Sequence, residues 1–221
     1  MSKLRVASIS LLVVVGLFFL SYNYIAGAIY ENWLNKHQEE VLSGITKGAI
    51  EAREKELAKE ESSFDYGAIQ SINNGMIPPK LDPGRMNNAI GVISIPSVNL
   101  EEPILYGTTN ENLMFGATTM KPDQKMGRGN YTLAGHSHPT RNILFQPIRD
   151  VNDGDLIYVT DKNKVYTYKV TNKKVVMPDK IEVLDDVPGK ELITLVSCFS
   201  DDGSDRVIVT GELSNIADYQ E

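Results

Sequence analysis

Residues 6–30 carry no charged side chain. As an α-helix such a stretch runs roughly 37 Å, longer than the ~30 Å hydrocarbon core of a bilayer. Its apolar heart is residues 11–20, and Tyr22, Tyr24, Tyr30 and Trp33 follow where an interfacial aromatic belt would lie. Lys3 and Arg5 precede the stretch and Glu31 follows it. The positive-inside tendency then keeps the N-terminus in the cytoplasm and puts everything after Tyr30 outside. Ala26-Gly27-Ala28 resembles a small-residue cleavage site, but the apolar region is long for a cleaved signal. The reading is an uncleaved, single-pass anchor in the cell membrane, with the rest of the chain extracellular.

Residues 31 to about 62 are rich in Glu, Lys, Ala and Gln and contain no Pro, the composition of a helical stalk. Leu34, Val41, Leu42, Ile45 and Ile50 give it one weak apolar face, while Gly44 and Gly48 weaken it locally. It reads as a solvated spacer with no specific partner. Residues 62–88 hold Gly67, Gly75, Pro78, Pro79, Pro83 and Gly84, the signature of a linker. The organisation is thus residues 1–30 as cytoplasmic tip and anchor, 31–88 as stalk and linker, and 89–221 as an exported domain.

That domain reads as mainly β. Strands are expected at 90–96, 100–105, 130–134, 156–160, 165–176, 191–198 and 206–213, with a short helical turn near 113–117. Residues 165–170, Val-Tyr-Thr-Tyr-Lys-Val, alternate as a half-buried strand does. Many short strands joined by Gly, Pro and Asp turns suggest a closed or nearly closed barrel.

The net charge of −7 and the absence of a Lys/Arg cluster argue against a nucleic-acid partner. The chain has one cysteine, Cys198, so no internal disulfide forms. A lone Cys is by default a small buried hydrophobe. Cys198, however, ends the apolar run Leu-Ile-Thr-Leu-Val-Ser-Cys and precedes a polar loop, after which Arg206 opens the next strand. If the two strands form a hairpin, thiol and guanidinium share one rim, and a thiolate there is favoured. A thiol nucleophile also needs a proton carrier. Of three histidines, His37 lies in the stalk and reads as solvated, whereas His136 and His138 sit where a strand meets a loop. Two residues apart along a strand, they share a face, so spacing alone does not choose between them.

Thr194-Leu-Val-Ser-Cys198 resembles the TLxTC signature of sortases, with Ser197 in place of the usual Thr. Ala134-Gly-His136 resembles the segment bearing that family's catalytic His, and Arg206, eight residues after the Cys, matches its essential Arg in the family's order. The resemblance covers about residues 90–213, and an N-terminal anchor ahead of the domain is similar to class A, the housekeeping type. It implies an eight-stranded sortase β-barrel and a cysteine transpeptidase. Cys198 would attack the Thr–Gly amide of an LPXTG-type signal on an exported surface protein. His136 would protonate the leaving amine and then deprotonate a peptidoglycan precursor amine. Arg206 would stabilise the oxyanion or orient the signal. Ser197 would donate to the tetrahedral oxygen, and His138 is the alternative base.

The same resemblance places Val183 and Leu184 in the walls of an apolar substrate groove, with Val196 and residues 108–120 at its floor and Thr194 beside them. Some class A sortases bind calcium through acidic residues in the loop before the catalytic His. Here Lys121, Gln124 and Arg128 hold those places, and Asp123 with Asp185 or Asp186 makes a poor ligand set for calcium. No metal or other cofactor is expected. The rival readings are an exported cysteine peptidase that hydrolyses, a non-catalytic anchored β-domain with Cys198 as core filler, and a pilus-building sortase. The polar C-terminal residues 217–221, without a second span, favour the housekeeping type.

Overall fold

The uncharged stretch and the first part of the charged run after it form one helix, α1 (Lys3–Gly44), in a computed structural model that describes residues 3–57, 64, 66, 69 and 89–220. Along the first half of α1 the apolar side chains face outward: Leu12 is 71% and Phe19 70% exposed. Nothing among the described residues covers them, as fits a helix whose surroundings are lipid.

From Tyr24 onward α1 lies against the rest of the protein, so Tyr30 and Trp33, expected in an interfacial belt, pack against the barrel instead, and the expectation of a solvated spacer is corrected. Tyr30, Leu34 and Val41 are buried in a cluster with Ala89, Leu105, Met114, Phe115, Ile143 and Leu144. These helix residues recur at intervals of four and seven, so one stripe makes the contact. Burying a side chain such as Leu34, fully covered here, contributes about 1.5–3 kcal/mol. Polar contacts fix the register: the Tyr30 hydroxyl donates to Met114 O, and Gln38 Nε2 donates to Phe115 O at 2.6 Å. Arg141 pairs with Glu31 and also donates to Tyr24 O. His37, expected to be solvated, is half-buried, with Nδ1 2.7 Å from Trp33 O and its ring tilted against the indole at 4.6 Å between centroids. After a break at residues 45–46 the helix resumes as α2 (Lys47–Leu57), whose Leu57 reaches the main core. The linker expected over residues 62–88 lies outside the described residues, apart from Phe64, Tyr66 and Ile69.

Residues 89–218 form a closed eight-stranded barrel. Its strands are β1 (Ala89–Ile95), β2 (Leu100–Leu105), β3 (Ala117–Thr119), β4 (Asn130–Ala134), β5 (Leu156–Thr160), β6 (Lys164–Val176), β7 (Leu192–Cys198) and β8 (Arg206–Asp218). They close in the order β1-β2-β3-β4-β7-β8-β6-β5. Pairing is antiparallel except for β2–β3 and β4–β7. Alternate residues fill the interior: Tyr131 and Leu133 from β4, Ile193 and Leu195 from β7, Val207 and Val209 from β8. The short α3 (Asn110–Leu113), capped by the Thr109 side chain, stands where the helical turn was expected, slightly earlier in the chain.

Among the described residues one carboxylic acid is buried, Glu102. Glu102 shares its side of β2 with the core residues Leu100 and Ile104, and its Oε2 is buried without a partner among the described residues. Burial pushes its carboxyl up to about 8 from an ordinary value near 4.5. Because the folded state holds this proton more tightly than the unfolded chain, the neutral acid costs little below pH 4.5. Stability then falls as pH rises towards 8. Glu102→Gln is expected to flatten that slope, raising Tm at pH 8 and leaving it nearly unchanged at pH 4.5. A thermal melt series over this range would show equal slopes if the carboxyl were in fact solvated.

Candidate active site

β4 and β7 run parallel, with Ala134 opposite Val196, so the residues following each strand emerge at the same end of the barrel. Gly135 N donates to Val196 O, and Ser197 Oγ donates to Gly135 O at 2.8 Å. This tie joins chain positions 62 residues apart and brings the His136 segment beside Cys198. Gly135 is required in this tie: a Cβ there would sit 2.4 Å from the Phe145 ring. His136 is buried, its carbonyl accepts from Phe145 N, and its Nε2 lies 3.3 Å from Asn110 Oδ1 at the start of α3.

β7 and β8 form the expected hairpin, and its last pair is Cys198 opposite Arg206. Paired residues point to one side of a sheet, so thiol and guanidinium share the outer face with Val196 and Ile208. Arg206 is held by Nη1 bonds to Gly203 O and Asp205 O. Its Nη2 donates to Ile69 O at 2.8 Å, and the Cys198 thiol points to the same carbonyl at 3.8 Å. Ile69 is wholly buried in an apolar groove formed by Leu113, Met120, Ala134, Val196 and Ile208, with Val183, Leu184 and Tyr66 at its edge. Upstream, Phe64 bridges to Thr108 and packs edge-on against Tyr106. Sequence reasoning missed Ile69, because nothing in a linker composition marks which residue will lie on a distant thiol.

The structure thus brings Val183, Leu184 and Val196 into one apolar cluster with Cys198, and treats two other residues differently. Ser197 faces the barrel interior, its hydroxyl committed to Gly135 O rather than turned towards the groove. Thr194 Oγ1 donates to Asn130 Oδ1, and Asn130 Nδ2 donates to Val183 O and Asp185 O. Thr194 therefore holds the groove wall from beneath.

At the far end, Lys121 Nζ donates to Leu184 O at 3.0 Å and pairs with Asp186 at 2.8 Å. Asp186 also accepts from Asn130 N, and these bonds hold its carboxyl below the usual carboxylate range. No group of three or more His, Cys, Asp or Glu suited to a metal occurs among the described residues.

The sortase domain family model matches residues 93–214, more than half of the chain. Sortase A of Bacillus anthracis is 38% identical over 215 residues, spanning 96% of this chain and 97% of that protein. Sortase A of Streptococcus agalactiae is 35% identical over 214 residues, spanning 95% and 84%. The crystal structure of Listeria monocytogenes sortase A superposes with a TM-score of 0.59 at 38% identity, covering 61% of this chain and 92% of that one. The chain is a class A sortase.

As a cysteine transpeptidase, this sortase needs a reactive thiol. Burial pushes the Cys198 thiol up, while Arg206 and then Arg149 pull it down. The chain's own Ile69 lies against the thiol and shares in that burial. Removing a side chain whose burial is worth about 1.5–3 kcal/mol weakens such a cover by about tenfold or more. Ile69→Gly is therefore expected to speed iodoacetamide alkylation of Cys198 by at least about tenfold at fixed pH. Equal rates would mean that Ile69 does not guard the thiol.

Proposed function

We propose that this sortase cleaves LPXTG-type sorting signals between Thr and Gly and joins the acyl half to a peptidoglycan precursor amine, anchoring exported surface proteins to the cell wall. One observation carries the reading: the Cys198 thiol and the Arg206 guanidinium converge on a single peptide carbonyl, that of Ile69, whose aliphatic side chain fills the adjoining groove. A sorting signal presents the same elements, an aliphatic residue and a scissile carbonyl, and would displace Ile69.

In the first step the thiolate attacks the Thr carbonyl carbon, and Arg206 donates to the oxygen as it gains charge. The C–N bond breaks, the amine leaves with a proton from the His136 imidazolium, and a thioester remains. The acceptor amine then attacks that thioester, gives a proton to His136, and releases the thiolate. His136 suits this part because Asn110 Oδ1 stands ready to accept from a protonated Nε2. His138 suits it less. Its Nδ1 accepts from Thr140 N, and burial together with Arg141 pushes its pKa down, so it favours the neutral form.

Calcium is not needed in this reading, because Lys121 supplies a fixed cation between the β3–β4 and β6–β7 loops. The helix α1 supports a single-pass anchor, with the N-terminus in the cytoplasm and the barrel outside.

Incubation of the enzyme with an LPXTG peptide and an amine acceptor tests the proposal. A transpeptidation product is expected, absent with Cys198→Ala, reduced about 10²–10⁴-fold by His136→Ala, and reduced only a few-fold by His138→Gln. Intact peptide across varied acceptors would overturn it. Turnover is expected to be the same in chelator and in added calcium, with Lys121→Ala lowering both; a large calcium stimulation would remove the proposed role of Lys121.

A further inference from the structure

Arg149 closes the short helical turn Gln146–Asp150 that follows the His136 loop. Its Nη2 donates both to Cys198 O at 3.2 Å and to Ser137 Oγ at 3.3 Å. Its guanidinium lies 5.5 Å from the ring centre of Phe199, the residue after the nucleophile. One side chain thus touches the main chain at Cys198, the residue next to it, and the residue between His136 and His138. Its own carbonyl accepts from Lys173 Nζ, which fastens the turn to β6.

Both hydrogen-bond acceptors are neutral. Among the described residues no carboxylate forms an ion pair with Arg149, and its Nε is buried without a partner. A guanidinium bonded only to neutral groups keeps its full positive charge, and in a partly buried site that charge is weakly screened. Arg206, by comparison, reaches the thiol from the groove side, where substrate enters. Arg149 instead reaches the site through the Cys198 carbonyl, the Ser137 hydroxyl and the Phe199 ring.

We infer that Arg149 is a positioning residue of the sortase reaction, bridging the Cys198 main chain to the His136 loop and supplying a second cation to the thiolate. The two parts separate chemically. The bridge requires two donor directions from one planar group, which Lys does not provide; the charge requires only a cation. The inference rests on Cys198 being the nucleophile and His136 the proton carrier.

Two readouts test it. Alkylation of Cys198 by iodoacetamide across pH reports the thiol without any sorting peptide, and peptide turnover reports the bridge. Both are normalised to folded enzyme by near-ultraviolet circular dichroism below the melting temperature. Arg149→Gln is expected to move the alkylation midpoint to higher pH and to lower kcat by about tenfold, the size of one lost charge-assisted contact of about 1.4 kcal/mol, with KM within twofold. Arg149→Lys is expected to keep the wild-type alkylation midpoint but to lose most of the same factor in kcat. Ser137→Ala, which removes one end of the bridge and no charge, is expected to lower kcat a few-fold with the alkylation profile unchanged. Should Arg149→Gln not fold, Arg149→Lys and Ser137→Ala decide the matter. An unshifted alkylation profile in Arg149→Gln removes the electrostatic part. Wild-type kcat in both Arg149→Lys and Ser137→Ala removes the bridge. A wrong choice of sorting motif would abolish turnover in every variant and leave the alkylation results standing.

Discussion

The parallel pairing of β4 with β7 is the constraint on which the site depends. Neither strand carries the whole of the chemistry. Cys198 ends β7 and His136 follows β4, and only the register that sets Ala134 opposite Val196 makes their ends coincide. The Ser197–Gly135 bond closes that register at the rim, and the Thr194–Asn130 bond fixes it lower down. A slip of one residue would turn Cys198 into the core and expose Ser197. The hydroxyls of the Thr194-Leu-Val-Ser-Cys198 segment thus serve alignment, one on each side of the strand.

Around that frame the protein's own chain supplies further contacts. The Ile69 carbonyl lies between thiol and guanidinium, and the ammonium of Lys121 spans two loops through Asp186 and Leu184 O. Ile69 lies against the Cys198 thiol, and Lys121 ties the loop after β3 to the loop before β7.

What could be read from the sequence divides along the same line. Strands with strong alternation or continuous apolar runs were legible, as was the hairpin that pairs Cys198 with Arg206, because the polar loop between them has turn chemistry. β3 was not, since Ala117–Thr119 is too short to show a period and takes its identity from its neighbours β2 and β4. The second half of β8, up to Asp218, looked like a polar tail because it pairs only with the long β6 and stays exposed on the other face. The docking of α1 was underestimated because Leu34 and Val41 make a weak stripe, and its depth depends on partners such as Phe115 and Ile143 that sequence does not place. Ile69 and Arg149 were invisible for a related reason: their meaning lies in backbone carbonyls, which leave no mark in side-chain identity.

The continuity of α1 has one more consequence. The helix that crosses from the apolar belt passes without a break into the stripe that grips β2 and the loop bearing Arg141, only a few residues from His136. A flexible tether would let the barrel tumble and sample a volume. A docked rigid helix fixes its height and tilt, so that the groove sweeps a thin layer parallel to the anchor's surroundings. For a reactant confined to the same layer, encounter becomes a two-dimensional search governed by surface density rather than by bulk concentration.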